Sequence, residues 1–320
     1  MLMHILLFAL GFILLIKGGD WFVDGAVDIA HYLHMPELLI GATVVSIGTT
    51  LPEVMVSSAS ALEGHGEIAY GNAIGSIICN AALIAAITIV VRPSTVERKS
   101  LRLPVLFFFT AAAFYTIVSY TTGYFSRWIG IVLLIIFVIY MVLTVREMKS
   151  SGDEMEQDPV KPDRPLSRSI LFLVIGAVAI AIGARLLIDH GTAIAQAAGI
   201  PESVIGLTLI ALGTSLPELI TAIQSLRKGH GDLSLGNIIG ANLFNLVLVG
   251  GMSITLAPFP IPQSAQIFGH NAALVMELPL MLIIMLILTV PAIIKEKLER
   301  WQGIILLILY FGFCVIQFTR

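Results

Sequence analysis

The sequence predicts an all-α polytopic membrane protein with ten transmembrane helices, arranged as two inverted repeats of five helices each. Hydrophobic residues make up 57% of the 320 residues and charged residues only 12%, with a mean hydropathy of +0.95. A soluble domain carries about 25% charged residues. The apolar runs each approach the roughly 20 residues that cross a bilayer as a helix. Two motifs also recur at a constant offset of 165 residues, which indicates an internal duplication.

The expected spans form two sets of five, separated by the most polar stretch of the chain. That stretch is charged and contains prolines, a composition typical of a flexible linker. We therefore expect a first repeat at 1–147, a hydrophilic linker at 148–166 and a second repeat at 167–320. The expected spans are 2–25, 37–61, 67–91, 103–120, 127–146, 167–190, 202–226, 232–257, 271–293 and 299–318.

The duplication is clearest in two motifs. GTTLPE (Gly48–Glu53) returns as GTSLPE (Gly213–Glu218), and GNAIGSIICN (Gly71–Asn80) returns as GNIIGANLFN (Gly236–Asn245). Because each repeat has an odd number of spans, the second repeat enters the membrane from the opposite side, as in many secondary transporters.

The distribution of positive charge predicts the orientation. If the N-terminus is outside, the inner loops hold 14 of the 18 Lys and Arg residues. Cytoplasmic loops carry this excess of positive charge in membrane proteins. We therefore expect a multi-pass protein of the cytoplasmic (inner) membrane, with both termini outside and the linker in the cytoplasm.

The chain lacks the signatures of several other functions. It has no Gly-Lys-Ser/Thr phosphate loop, which argues against a function powered by ATP hydrolysis. It also has no basic tract, which argues against a nucleic-acid partner. No HExxH, paired-aspartate or Ser-His motif lies in the spans, so we expect neither an enzyme nor a bound cofactor. Cys79 and Cys314 both fall in apolar runs, and we interpret them as small hydrophobic residues.

The first motif places a glutamate, Glu53 or Glu218, inside an apolar span of each repeat. A carboxylate at that depth is costly and usually functional. Pro52 and Pro217 each remove an amide donor, so we expect a break or kink that frees carbonyl oxygens near Ser46–Gly48 and Ala211–Gly213. A hard cation such as Ca²⁺, which takes six to eight oxygen ligands, would suit such a set. The alternative is a kinked helix with only a packing role. Beside the glutamates, the two copies of this motif also supply hydroxyl oxygens to the possible cation site, those of Thr49, Thr50, Thr214 and Ser215.

The second motif supplies glycines and amides. The spacing of Gly71 and Gly75, and of Gly236 and Gly240, permits close helix contact. Each motif ends in an asparagine within an apolar helix, and a carbonyl oxygen there would complete a cation shell. These asparagines are Asn80 and Asn245; Ser76 adds a hydroxyl one turn before Asn80, and its counterpart is Ala241.

Together these motifs resemble the α-repeats of the cation/calcium exchanger superfamily, and most closely its prokaryotic sodium/calcium exchanger branch. The resemblance covers essentially the whole chain. It implies that Glu53 and Glu218 are the central ligands, shared between calcium and competing sodium ions. It also implies hydroxyl or carbonyl ligands from Thr49, Thr50, Thr214 and Ser215, backbone oxygens from Ser46 and Ala211 at flanking sodium sites, and further ligands from Ser76, Asn80 and Asn245.

One departure bears on the coupling ion. Well-studied relatives carry an aspartate where Asn245 stands, so this site has two carboxylates instead of three. A charge of −2 balances one calcium or two sodium ions, but not three sodium ions. The leading hypothesis is a monomeric sodium-driven calcium antiporter in which spans 1 and 6 move past a fixed core. The alternative is proton/calcium exchange on the same fold. A passive channel and an intramembrane enzyme are the hypotheses from other functional classes.

Overall fold

The computed structural model describes residues 2–33, 37–152, 164–197, 215–263, 266–267 and 269–319. Ten helical segments run through these residues and take up most of them. They are α1 (Leu2–Tyr32), α2 (Leu38–Leu62), α3 (Gly66–Val91), α4 (Arg98–Thr122), α5 (Arg127–Gly152), α6 (Leu166–Ala197), α7 (Leu216–Lys228), α8 (Gly231–Leu256), α9 (Ala273–Lys295) and α10 (Arg300–Thr319).

Within the described ranges, nine of these helices are long and apolar enough to cross a membrane. They agree closely with nine of the expected spans, so the prediction of a multi-pass helical protein is confirmed. The remaining expected span, 202–226, is described only from residue 215 onward, where α7 occupies its second part. Three helices continue well past the ends of their expected spans: α1 to Tyr32, α5 to Gly152 in the region expected to be linker, and α6 to Ala197.

Short antiparallel strand pairs connect the loops at the helix ends. Strand β1 (Ser94–Thr95) pairs with β6 (Lys297–Leu298), which joins the loop after α3 to the loop before α10. The other pairs are β2 (Tyr124–Phe125) with β3 (Phe259–Pro260), and β4 (Gln266–Ile267) with β5 (His270–Asn271).

The helices differ strongly in how deeply they are buried. We compared the buried share of the most apolar 18 residues of each helix. This share is 83% in α8 and 72% in α3, but 22% in α1 and 17% in α10. The motif-bearing helices α3 and α8 therefore form the centre of the bundle, and α1 and α10 present most of their surface to the outside.

Helices α1 and α6 form an antiparallel pair with its own apolar cluster. His4 near the start of α1 lies 3.1 Å from His190 near the end of α6, measured between the Nδ1 atoms. At the opposite end, Ser169 of α6 donates a hydrogen bond of 3.1 Å to Asp28 of α1. The apolar cluster of this pair is separate from the main core and reaches the first turns of α2.

Of the break or kink expected at Pro52, the break is absent. The helix runs without interruption from Ser46 to Leu62, because proline removes only one amide donor and neighbouring helices hold the segment in place. The irregular turn lies earlier in α2, where Gly41–Val45 is a π-helical turn that ends at Ser46. Such wide turns occur often at functional sites.

Two turns with the same sequence adopt the same backbone. Gly64 and Gly229 have φ angles of +87° and +91°, which favour glycine. The following histidine amides, of His65 and His230, each donate a 2.8 Å hydrogen bond to a serine carbonyl five residues back. The duplication read from the sequence is therefore present in the local geometry where α2 meets α3 and α7 meets α8.

Close helix contact through the repeated glycines is confirmed in the second half but not in the first, where a Cβ atom on Gly71 or Gly75 would meet no described atom within 4 Å. A Cβ atom on Gly240 would lie 2.6 Å from the Cα atom of Ala42 and would also meet the Ser46 hydroxyl. A Cβ atom on Gly236 would meet the Leu38 carbonyl oxygen. These glycines let α8 lie directly against the first part of α2.

We predict that Gly240→Ala lowers the midpoint of thermal unfolding in detergent. The added methyl overpacks the contact between α8 and α2 and should cost about 1–3 kcal/mol. Gly312→Ala on α10 is the matched control, because no described atom lies within 4 Å of the added carbon. Equal midpoints for the two variants would contradict the close contact.

Candidate cation-binding site

Each half of the chain contributes one buried glutamate to the interior. Glu53 on α2 and Glu218 on α7 are both 0% exposed. Their carboxyl groups are close enough to interact electrostatically. All four carboxylate oxygens lack a hydrogen bond within the described residues. Two uncompensated carboxylates in an apolar interior therefore require a cation or protons.

Four further residues predicted for the site also carry buried polar atoms without a hydrogen bond in the described structure. The hydroxyls of Thr50 and Ser215 are buried, and the described structure gives them no hydrogen bond. The same holds for both amide atoms of Asn80 and of Asn245. An unsatisfied buried polar group costs about 1–3 kcal/mol, so a cluster of them points to a ligand that these oxygens would coordinate.

The two asparagines occupy matching places in the helices. Asn80 is the first residue of a π-helical turn in α3 (Asn80–Ala85), and Asn245 is the first residue of one in α8 (Asn245–Gly250). The duplicated sequence therefore places each amide where the regular helix widens. Both asparagine side chains are 0% exposed, so each lies in the interior of the bundle.

Nine of the eleven residues predicted for the site are described, and all nine are buried. Thr214 and Ala211 lie outside the described residues. Thr49 lies beside the Glu218 carboxylate although it belongs to the other half. The nine are Ser46, Thr49, Thr50, Glu53, Ser76, Asn80, Ser215, Glu218 and Asn245.

Sequence reasoning missed two asparagines that contact the site. Asn237 lies on α8, and its side-chain oxygen is 3.2 Å from the Thr49 hydroxyl and 3.3 Å from the Ser46 hydroxyl. Asn72 on α3 donates a hydrogen bond of 3.5 Å to the main-chain oxygen of Glu53 and one of 2.8 Å to the Ser57 hydroxyl on α2. Both follow the first glycine of the GNxIG motif at the 165-residue offset, so their recurrence was a signal that could have identified them.

Cys79 also lies at the edge of the site. Its buried thiol is beside Ser215 and close to the Glu218 carboxylate. Its other neighbour is the Tyr310 hydroxyl on α10, 3.9 Å from the sulfur. The interpretation of Cys79 as a small hydrophobic residue therefore omitted its position next to the glutamates.

The α1–α6 pair covers the site on one side. A small cavity lies between Thr49, Pro52 and Pro217 of the site and Phe22 and Ala177 of the pair. Its volume leaves room for about one water molecule. In this arrangement the pair closes the glutamates off from that side.

Polar contacts tie α1 to α7 at the end of the bundle where α7 finishes. Lys228 of α7 lies 2.6 Å from the Asp24 carboxylate of α1, and its ammonium also donates a 2.8 Å hydrogen bond to the Asp20 carbonyl. Gln224 donates a 3.2 Å hydrogen bond to the carbonyl of Ile16. Arg164 adds contacts of 3.4 Å to Asp24 and 3.1 Å to Asp28.

Comparison with known proteins gives consistent similarities. The profile of the family described as sodium/calcium exchanger protein matches residues 3–146 and 168–319. Inner membrane protein YrbG of Escherichia coli (strain K12) is 37% identical over 287 residues, 87% of each chain. Sodium/calcium exchanger MaX1 of Methanosarcina acetivorans is 29% identical over 352 residues, 98% of each chain. A structure of the sodium-calcium exchanger NCX_Mj superposes with a TM-score of 0.82 at 33% identity, covering 99% of both chains.

We predict that calcium raises the thermal midpoint of the purified protein and that Glu53→Gln or Glu218→Gln removes the effect. Ligand at 100-fold above its dissociation constant stabilises a protein by about 2.7 kcal/mol. Glu63→Gln is the control, because Glu63 is an exposed acid just beyond α2. A calcium-dependent shift that survives in both buried-glutamate variants would contradict the assignment.

Proposed function

Because the chain belongs to the sodium/calcium exchanger family, we propose that it is a secondary antiporter that exchanges calcium for sodium across the cytoplasmic membrane. The observation that carries this proposal is the pair of buried, unpartnered carboxylates of Glu53 and Glu218. Family and fold are those of a transporter. One chain contains both glutamates, so a monomer would suffice as the transport unit.

The chemistry of the site suits both ions. Two carboxylates carry a charge of −2 when ionised, which one calcium ion or two sodium ions neutralise. The hydroxyls of Thr50 and Ser215 and the amide oxygens of Asn80 and Asn245 bring oxygen ligands of the kind that calcium prefers. The same oxygens would serve sodium, so the two ions compete for one site. Thr49, Ser46 and Ser76, together with Thr214 and Ala211, complete the proposed ligand set.

We further propose that transport proceeds by alternating access between two inverted repeats of five helices. The α1–α6 pair has its own apolar cluster and covers the site, so it can move as a unit against the remaining helices. The antiparallel course of α1 and α6 supports the opposite orientation of the repeats. In this topology both termini lie outside and the linker is cytoplasmic, which puts Lys228 at the cytoplasmic side.

The ion pairs of Lys228 support a conformation closed to the cytoplasm. Lys228 connects α7 to Asp24 of α1. The counterpart of Asp24 in the second repeat is Asp189, which pairs at 3.7 Å with Arg185 of its own helix α6. Within the described residues, Asp24 therefore joins α1 to another helix at the cytoplasmic end, and Asp189 pairs inside α6.

Proton/calcium exchange is the second candidate. The amide of Asn245 leaves the site with two carboxylates, which two protons would neutralise as well as two sodium ions. The same transport measurement separates the two functions.

We predict that a sodium gradient drives calcium uptake into inside-out vesicles. The vesicles are loaded with sodium, diluted into sodium-free medium and supplied with radioactive calcium. Glu53→Gln and Glu218→Gln should abolish uptake, and Glu63→Gln should preserve it. Uptake driven by an acidic lumen without sodium would favour the proton mechanism, and calcium flux without either gradient would indicate a channel.

We predict that Asn245→Asp steepens the sodium dependence of transport. A third carboxylate raises the site charge from −2 to −3, so a third sodium ion is needed to neutralise it. The Hill coefficient cannot exceed the number of ions that bind together, so the value for sodium should rise from about 2 towards 3. Asn242→Asp is the control, since Asn242 donates to the Met285 sulfur. An unchanged slope would count against the role given to Asn245.

We predict that Lys228→Gln opens the cytoplasmic side more often. Partly exposed ion pairs contribute up to about 1 kcal/mol, so the open fraction should rise about two- to fivefold. The measurement is the labelling rate of Ser225→Cys, buried on α7, by an impermeant maleimide added from the cytoplasmic side. Lys228→Arg keeps the charge and should leave the rate unchanged; equal rates for both variants would refute the fastening.

A further inference from the structure

The hydrogen bonds of Asn237 link a helix of the second repeat to ligands of the first. Its side chain is 0% exposed and lies on α8 between the two close-contact glycines Gly236 and Gly240. Its side-chain oxygen accepts a hydrogen bond of 3.2 Å from the Thr49 hydroxyl. Its main-chain oxygen accepts one of 3.0 Å from the Ser46 hydroxyl.

A hydroxyl ligand must turn its lone pairs, not its proton, towards a cation. Serine and threonine hydroxyls carry one proton and two lone pairs. The Ser46 proton already has a close acceptor, the carbonyl of Gly41 at 2.7 Å in the π-helical turn. Thr49 is different, because its own-helix acceptor, the Ser46 carbonyl, is 3.4 Å away and the Asn237 side-chain oxygen is nearer.

Thr49 therefore has competing acceptors. Its hydroxyl lies beside the Glu218 carboxylate on one side and the Asn237 oxygen on the other. When a cation occupies the carboxylates, a proton pointing at Glu218 would oppose binding. A neutral acceptor on the far side gives that proton a position away from the cation.

We propose that Asn237 is a positioning residue for cation binding: its side-chain oxygen takes the Thr49 proton and leaves the Thr49 lone pairs for the transported ion. This inference rests on the proposed function. Asn72, the repeat-related residue, instead donates its amide to Ser57, so the two copies act differently.

The test is equilibrium calcium and sodium binding to the purified protein, with transport measured in parallel. Asn237→Ala should raise the calcium dissociation constant about fivefold, the size expected for one lost hydrogen bond. Asn237→Asp retains an acceptor but no donor, so it should bind calcium at least as tightly as the wild type. Asn242→Ala, which removes another buried amide from α8, should bind normally.

The outcomes separate this inference from the function on which it rests. Wild type that binds neither ion would defeat the proposed function. Wild type that binds calcium while Asn237→Ala binds within twofold of it, or Asn237→Asp as weak as Asn237→Ala, would overturn the role of Asn237. Should Asn237→Ala not fold, the similarly sized Asn237→Leu, which also lacks the acceptor, replaces it. Combined with Thr49→Val it should bind like Thr49→Val alone, and additive losses of calcium affinity would overturn the inference.

Discussion

Two carboxylates without partners in an apolar interior are the constraint to which the rest of the structure responds. Leaving one ionised carboxylate unpaired in such a medium costs far more than a hydrogen bond returns. A protein is stable by only about 5–15 kcal/mol in total, so Glu53 and Glu218 cannot remain charged together without neutralisation. Binding of cations is therefore coupled to the stability of the bundle. Because the carboxylates must stay neutralised, such a site favours replacing one bound ion by another over releasing an ion alone.

The packing around the glutamates reflects that requirement. The asparagine-bearing helices α3 and α8 are the most buried of the bundle, and glycines bring α8 against α2. The widened turns of these two helices start at Asn80 and Asn245, whose side chains are buried. The α1–α6 pair stays outside the main core and meets the site across a small cavity. A rigid centre with a separately packed cover is a suitable arrangement for switching access, because the cover can move without disturbing the ligands.

The sequence could predict the spans because the bilayer allows only helices whose backbone bonds are internal, which leaves long apolar runs. It could not predict that α1 continues to Tyr32, since that extension depends on ion pairs of Asp24 and Asp28 with distant residues. The glutamates were identifiable from their cost in the membrane. Asn237 also had a sequence signal, because it repeats Asn72 at the 165-residue offset, but its contact with Thr49 of the other half could be found only from the fold. The break expected at Pro52 failed because tertiary packing overrides one missing hydrogen bond.

Equilibrium binding of radioactive calcium to the purified protein tests the central claim most directly. If Glu53 and Glu218 form one shared site, the wild type should bind one calcium ion per chain, sodium should displace it competitively, and each single glutamine variant should bind none. Two independent sites, or a single variant that binds calcium with wild-type stoichiometry and affinity, would contradict the account.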